Sequence, residues 1–228
     1  MEVKTIRLGS SNVHFIRTAV GYLMVDAGSS GNFNKLMRFL RKEKIRVCDI
    51  RYVFITHVHH DHVGNLKDLM AVSDAKVIAH ELEKEYLEQG IVKIPDGIGF
   101  FPKLIAALGR GNRRVLRYKA CNVDFPVHSS LDLHSMGFPG KVFHTPGHTE
   151  GSLSLIFDDG DAFVGDTCFS LFRRKKLLPP FVNDLQSLYH SWELLNNKSA
   201  TRFYPGHGKP FGIRQLHQSM ERLKRKLA

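Results

Sequence analysis

The sequence predicts an α/β protein in which two packed β-sheets are covered by helices. Two observations indicate this fold class. Short β-rich runs alternate with amphipathic helical stretches, and the second half of the chain resembles the first half in this plan. Sheets and amphipathic helices each have an apolar face that must be buried, so two β-rich halves favour two packed sheets with helical outer layers. The 228 residues are ample for a sizeable core.

The first half is predicted to contain four strands and two helices. Its strands are short runs rich in β-branched and aromatic residues, at 13–18, 22–28, 51–57 and 75–80. One helix is predicted at 33–44, because a period of 3.6 residues places four apolar side chains on one face. These side chains are Phe33, Leu36, Met37 and Leu40. A second helix begins near Asn65.

The second half repeats the pattern with four strands and two longer helices. The strands are predicted at 141–145, 152–157, 161–166 and 201–206. The helix at 183–197 begins at an Asn-Asp pair, which is typical of a helix start, and the last helix covers 213–227. The apolar stripes of these two helices are Leu185, Leu188, Tyr189, Trp192 and Leu195 in the first, and Ile213, Leu216, Met220 and Leu223 in the second.

The middle of the chain, at about 81–134, departs from this alternation and is predicted to be a helical and basic insertion. Its apolar residues at helical spacing are Phe101, Leu104, Ile105 and Leu108, and its basic residues are Lys103, Arg110, Arg113, Arg114, Arg117 and Lys119. Two interpretations stay open. The insertion lies over the functional site as a flap, or it is a helix followed by a solvated basic loop.

Composition and charge limit the class of protein. The formal net charge of +11 favours encounters with anions, whether nucleic acid, a membrane surface or acidic metabolites. No run approaches the roughly 20 apolar residues of a membrane-spanning helix. The start, MEVKTIRLGS, lacks the apolar core of a signal peptide, so we expect a cytoplasmic protein. The three cysteines form no CxxC pair, which argues against a disulfide framework or a cysteine zinc knuckle.

The stretch FITHVHHDHVGN is the strongest candidate for a functional site, because imidazole and carboxylate groups are common ligands of transition metals. Alternation along an extended loop sends His57 and His59 to one side. Asp61 and His62 follow at the turn into the next helix, so one loop can offer ligands to two neighbouring metals. His60 breaks the alternation and is expected to point away.

Three further donors follow strands in the second half of the chain. His148 comes after the Pro-Gly turn of HTPGHTEGS, and His207 comes after the same device in FYPGHGKP. Asp166 ends the apolar run FVGD and is the natural candidate for a carboxylate that bridges two cations. Loops at strand ends present side chains at the rim of a sheet, where binding sites are common.

In order, VDAGSS, THVHHDH, TPGHTEGS, GDT and PGHG resemble the motifs of the metallo-β-lactamase superfamily of hydrolases. The resemblance covers nearly the whole chain. It implies a single domain over 1–228, built as a four-layer αβ/βα sandwich of two mixed β-sheets flanked by helices, with the site at one edge of the sheets. The insertion at about 81–134 would interrupt this domain.

The resemblance also implies a set of ligands for two divalent metal ions. His57, His59 and His148 would hold one metal, and Asp61, His62 and His207 would hold the other. Asp166 would bridge the two, and Asp26 in VDAGSS would have a supporting role near the site. The donor types favour zinc and allow iron or manganese.

Such a site predicts a hydrolase. Two metals about 3.5–4 Å apart can hold a shared water as hydroxide at neutral pH and can polarise the substrate oxygen. The sequence shows no GxSxG nucleophile motif. Asp61 could take or return a proton and is therefore the predicted catalytic residue. The leading interpretation is hydrolysis of a small ester, thioester or lactone, with an anionic small molecule as substrate.

Two alternatives stay open. The basic runs at 110–119 and 173–176 favour a phosphodiesterase or nuclease, although the sequence contains no nucleic-acid-binding motif and nucleic acid is not the favoured partner. A redox or sensor protein on the same fold is the second alternative. It is disfavoured because the ligand set is complete and position 59 is His rather than Glu. The oligomeric state and the identity of the substrate stay open.

Overall fold

The computed structural model describes residues 1–92, 117–170 and 177–227 of the chain. Two mixed six-stranded sheets form the centre of the described part. The strands of the first sheet, in their order across it, are β1 (Glu2–Leu8), β2 (Ser11–Thr18), β3 (Gly21–Val25), β4 (Ile50–Phe54), β5 (Lys76–His80) and β6 (Phe125–Val127). The first three are antiparallel, and β3 to β6 are parallel.

The second sheet also has six strands. Its strands are β7 (Ser130–Asp132), β8 (Gly140–His144), β9 (Leu153–Phe157), β10 (Asp161–Ser170), β11 (Arg202–Gly208) and β12 (Phe211–Gly212). They lie in the order β12-β11-β10-β9-β8-β7, and β10 with β11 is the parallel pair. The helices are α1 (Phe33–Lys42), α2 (His60–Val63), α3 (Leu66–Met70), α4 (Glu81–Gln89), α5 (Leu185–Asn197) and α6 (Ile213–Leu227).

Three apolar clusters separate the layers. The central cluster joins the facing sides of the two sheets and includes Ile16, Phe54, Leu155 and Phe163. Neighbouring Phe15 belongs to the cluster beneath α1, because successive side chains of a strand point to opposite faces. Both faces of each sheet are therefore covered, which confirms the predicted sandwich of two sheets flanked by helices.

The helices bury the faces that the sequence predicts. Leu36 and Leu40 of α1 are buried in the first outer cluster, and Phe33 and Met37 pack against it. The second outer cluster lies between the second sheet, α5 and α6. It contains Leu188, Trp192, Leu195, Leu216 and Leu223, with Leu185, Tyr189, Ile213 and Met220 packed against it.

Strand β1 is absent from the sequence prediction. It pairs with β2 along its whole length, from Glu2 opposite Arg17 to Leu8 opposite Ser11. Most of its side chains are exposed or half-buried, since it is the edge strand of its sheet. An edge strand of this kind lacks the apolar run by which the inner strands are recognised.

The segment 81–134 contributes regular elements to the layers at both of its ends. Helix α4 packs beside β5, β6 extends the first sheet, and β7 extends the second. Residues 93–116 lie outside the described part of the chain, and with them lie the predicted apolar face at 101–108 and most of the basic run. Residues 173–176, the second basic run, also lie outside it. Whether an insertion interrupts a single domain stays a prediction.

Among residues 1–92, 117–170 and 177–227, no helix combines the length and the apolar character that crossing a bilayer requires.

Candidate metal centre

The predicted donors converge at one edge of the two sheets. His57 and His59 lie in the loop between β4 and α2, while Asp61 and His62 lie in α2 itself. His148 lies in the loop between β8 and β9. The seven donors form two groups of neighbouring ligand atoms, one with His57, His59, His148 and Asp166, the other with Asp61, His62 and His207.

Two donors sit differently from the prediction. Asp166 was expected to end its strand and His207 to follow a turn, but both lie within strands, β10 and β11. The pairing of these strands shifts between Gly165 and Phe169, and His207 pairs with Phe169 beyond the shift. An irregularity of this kind redirects side chains locally, so a paired strand can still present a ligand.

Three imidazole nitrogens of the first group form a compact triangle. His57 Nε2 lies 3.0 Å from His59 Nδ1, and His148 Nε2 lies 3.1 Å from each of these atoms. A tetrahedral zinc ion with Zn–N bonds of about 2.0–2.1 Å would hold its nitrogen ligands roughly 3.3 Å apart. The geometry of the three histidines therefore fits one cation.

The second group is equally close. His207 Nε2 lies 3.4 Å from His62 Nε2 and 3.3 Å from Asp61 Oδ2. The side chain of His62 is fully buried, whereas those of Asp61 and His207 are about one-tenth exposed, at 13% and 11%. This half of the centre is therefore the more accessible one.

The Asp166 carboxylate lies between the two groups. Its Oδ1 is 3.5 Å from His62 Nε2, and its Oδ2 is 3.4 Å from His207 Nε2 and 3.6 Å from His148 Nε2. Oδ1 is buried and has no hydrogen-bond donor in the described part of the protein. A buried carboxylate oxygen without a partner is costly, and a bound cation would supply the missing partner.

Hydrogen bonds hold the outward nitrogens of four imidazoles. His62 Nδ1 lies 2.7 Å from Asp26 Oδ2, and His57 Nδ1 lies 3.1 Å from the Thr56 hydroxyl, which donates to Asp26. The backbone oxygens of Phe181 and Ser10 accept from His148 Nδ1 and His207 Nδ1 at 2.8 and 3.0 Å. Such contacts fix the tautomer so that the other nitrogen faces the cation.

The pKa values divide the histidines of the centre into two kinds. Burial lowers the pKa values of His57, His59 and His148, with that of His59 falling to about 3, so these rings stay neutral. Burial also opposes the charge of His207, but the nearby carboxylate of Asp166 raises its pKa to about 9. Neutral imidazoles and ionised carboxylates are the forms that bind a cation.

Two glycines permit the close approach of the ligand loops. A Cβ atom on Gly206 would lie 2.4 Å from Asp166 Oδ1 and 2.6 Å from His62 Cε1, so a side chain there would push into the donors. Gly64 adopts ordinary right-handed helical angles. It is required because a Cβ atom would lie 2.1 Å from the Ser30 nitrogen.

Other candidates lie apart from the donors. The side chain of His60 is half-exposed, and its Nδ1 lies 3.9 Å from Asp61 Oδ1, beyond hydrogen-bond distance. Cys168 is buried in the apolar cluster beside Trp192, and burial raises the pKa of its thiol. Of the basic run at 110–119, the described Lys119 is paired with Asp68 at 2.5 Å.

Sequence reasoning missed the supports that Ser10, Ser11 and Glu83 give to the centre. The Ser10 hydroxyl donates to Asp61 Oδ2 at 2.8 Å, and the Ser11 hydroxyl donates to the Asp61 backbone oxygen. Glu83 is a buried acid of α4 whose carboxylate accepts from the Val58 N–H at 3.1 Å. Burial raises its pKa. Serines at the start of a strand and an acid in the first turn of a helix are ordinary local features, so the sequence carried no signal for them.

Comparison with known proteins agrees with this fold. The family model of the metallo-beta-lactamase superfamily matches residues 6–207. A probable metallo-hydrolase of Methanocaldococcus jannaschii, MJ0888, is 28% identical over 213 residues, which cover 92% of this chain and 93% of the relative. The hydroxyacylglutathione hydrolase of Pelagibacter ubique is 26% identical over 218 residues, which cover 91% of this chain and 71% of the relative.

A solved structure shows the same fold. The structure of TTHA1623 in a di-iron-bound form superposes with a TM-score of 0.68 at 23% identity, covering 96% of this chain and 98% of that one. This chain therefore belongs to the metallo-beta-lactamase superfamily. It is a metal-dependent hydrolase with a cluster of histidine and aspartate donors for divalent metal ions.

Proposed function

We propose that this protein is a dinuclear hydrolase that cleaves a small ester, thioester or lactone. The observation that supports the proposal best is the position of Asp166. One of its carboxylate oxygens lies 3.5 Å from His62 Nε2 and the other lies 3.6 Å from His148 Nε2. A single buried carboxylate thus reaches both groups of donors, as a bridging ligand of two neighbouring cations does.

In this proposal each cation has three ligands of its own. His57, His59 and His148 hold the first, Asp61, His62 and His207 hold the second, and Asp166 bridges them. Two cations in such a centre, when bound, ionise a water at neutral pH and act as Lewis acids on the substrate oxygen. The protein's part is to keep the donors oriented, through Asp26, Thr56 and the backbone oxygens that accept from the outward imidazole nitrogens.

Asp61 is the residue that we propose moves a proton. Its carboxylate is partly exposed, whereas the Asp166 carboxylate is buried, so Asp61 is the acid that solvent and substrate reach. General acid–base catalysis by a positioned side chain contributes about 10²–10⁴-fold to the rate. Asp61→Asn should therefore cut turnover far more than it cuts metal content. An equal loss of both would limit Asp61 to the role of a ligand.

Zinc is the metal that we propose, because histidine and carboxylate donors in near-tetrahedral arrangement suit it. Iron and manganese are the alternatives, and iron is supported by the di-iron form reported for TTHA1623. Elemental analysis of the purified protein, followed by reconstitution of the metal-free protein with each metal, tests this assignment. Two equivalents of zinc with full activity are expected, and activity with iron alone would overturn the choice of metal.

Two observations support the substrate class. A relative named hydroxyacylglutathione hydrolase favours a thioester, and the net charge of +11 favours an anionic small molecule. A panel of chromogenic esters, thioesters, lactones and phosphodiesters, assayed with each metal, tests the proposal. Cleavage of bis-p-nitrophenyl phosphate alone would replace it with the phosphodiesterase alternative, which the same net charge supports.

A further inference from the structure

A buried acid links the two loops that carry the three-histidine half of the centre. Glu83 lies in the first turn of α4, and only 6% of its surface is exposed. Its Oε2 accepts the N–H of Val58 at 3.1 Å. Val58 stands between His57 and His59, so this hydrogen bond fixes the backbone from which both ligands project.

The same carboxyl group reaches the loop that carries the third histidine. Burial raises the pKa of this group, whereas the side chain of Thr149, which follows His148, and the backbone of Gly151 act to lower it. The contact is tight, because a Cβ atom on Gly151 would lie 2.4 Å from Glu83 Cγ. Glycine at this position therefore allows the acid to lie directly against the loop.

The other half of the centre has different supports. His62 is held by Asp26, and His207 is held by the Ser10 backbone oxygen. Asp61 accepts from the Ser10 hydroxyl. Among the described residues, Glu83 faces Val58, Thr149 and Gly151, and none of these three is a predicted ligand of the second cation.

We propose that Glu83 is a positioning residue that sets the metal affinity of the three-histidine half of the centre separately from that of the other half. It acts through Val58 and Thr149 and touches neither substrate nor metal. The inference rests on the proposed dinuclear site. A carboxylate accepts at both oxygens, whereas the amide of glutamine turns one acceptor into a donor. Glu83→Gln would thus set an NH₂ group against one of these donors and loosen one of the two loops.

The test compares Glu83→Gln with Glu85→Gln. Glu85 is an exposed acid on the same helix, so the two substitutions change the charge of that helix equally. Metal-free protein is titrated with zinc against a chromogenic chelator, and the two binding steps are resolved. His148→Ala and His207→Ala identify the step that belongs to each half.

Loss of an outer support of a metal ligand costs about 10–100-fold in affinity. We expect Glu83→Gln to weaken the step lost in His148→Ala by about 10-fold, at the lower end of this range. The zinc affinity of the other step should stay unchanged in Glu83→Gln, and both affinities should stay unchanged in the Glu85→Gln control.

Equal weakening of both steps, or of neither, would overturn the proposal. Thr149→Val removes the hydroxyl, which also contacts the Ser152 hydroxyl at 2.8 Å, with little change in volume. It should weaken the same step by a smaller factor if Glu83→Gln does not fold. Unfolding of both variants would also overturn the proposal, because the contact would then maintain the fold rather than the centre. Because the readout is metal affinity, a protein that shows the selective loss but cleaves none of the panel substrates would refute the proposed function alone. A wild-type protein that binds no zinc would refute both.

Discussion

Replacing Asp26 with asparagine removes the charge of the residue that holds His62 but keeps the shape of its side chain. Asp26 Oδ2 lies 2.7 Å from His62 Nδ1, and Asp26 Oδ1 accepts the Thr56 N–H at 2.9 Å. The residue has a φ of +59°, a left-handed conformation that asparagine adopts as readily as aspartate. Asp26→Asn therefore keeps the backbone and side-chain volume while removing the negative charge.

The expected loss follows from the hydrogen-bond inventory. If the asparagine oxygen keeps the Thr56 N–H, its NH₂ group faces His62 Nδ1. That nitrogen must then become the acceptor, so the ring proton moves to Nε2, the atom that faces the cation. Such outer partners contribute about 10–100-fold to metal affinity, which corresponds to roughly 1.4–2.7 kcal/mol. We expect the affinity for the zinc ion held by Asp61, His62 and His207 to fall by this factor.

Zinc titration against a chelator measures the effect, with Asp158→Asn as the control. Asp158 is 62% exposed and lies 2.9 Å from His134 on the surface, so its replacement changes the net charge equally but leaves the centre alone. If Asp26→Asn leaves the zinc affinity of the His62 position unchanged, the view that Asp26 orients His62 is refuted. A parallel loss in Asp158→Asn would attribute the effect to net charge.

Three further outcomes follow from the geometry. Gly206→Ala should abolish binding of both zinc ions, measured by mass spectrometry of the native protein, because its Cβ would lie 2.4 Å from Asp166 Oδ1. Retention of both metals would contradict this. Ser10→Ala should weaken zinc binding at the group of Asp61, His62 and His207 only a few-fold and leave the unfolding free energy within about 0.5 kcal/mol, since the hydroxyl is exposed and contacts Asp61 and the Ser29 hydroxyl. The metal-free protein should be most stable near pH 6.5. Burial lowers the pKa of His14 to about 4, so its contribution is lost as the pH falls from 6.5 towards 4. Burial opposes charge on His207 too, but Asp166 raises its pKa to about 9, so its contribution is lost as the pH rises towards 9. Denaturant unfolding in chelator from pH 4 to 9 checks this, and stability that rises steadily with pH would contradict it.

The seven predicted donors could be picked out from the sequence because metal chemistry restricts the residue types. Histidines and aspartates that follow apolar runs are recognisable without coordinates, and the structure brings all seven of them together. The two-sheet architecture was predictable for a similar reason, since buried strands read as apolar runs. Strand β1 was not, because the side chains of an edge strand are mostly exposed and resemble those of a polar loop.

The supports of the centre could not be predicted, because their role depends on tertiary placement. Glu83 occupies the first turn of α4, where an acid is favoured simply by the helix dipole. Only the packing of α4 against two distant loops gives it partners at Val58 and Gly151. The strand positions of Asp166 and His207 depend likewise on a shift in the pairing of β10 with β11, which no local pattern encodes.

Each group of donors draws on both halves of the chain. His57 and His59 come from the first sheet and meet His148 of the second, while Asp61 and His62 meet His207. A cation at either position therefore joins the two sheets, and neither half of the chain could assemble a complete group alone. Ligands that bind only the folded state stabilise it by about 2.7 kcal/mol at a concentration 100 times the dissociation constant. Metal binding and the packing of the two sheets are thus coupled, because the edge that carries the chemistry is also the edge at which the two halves meet.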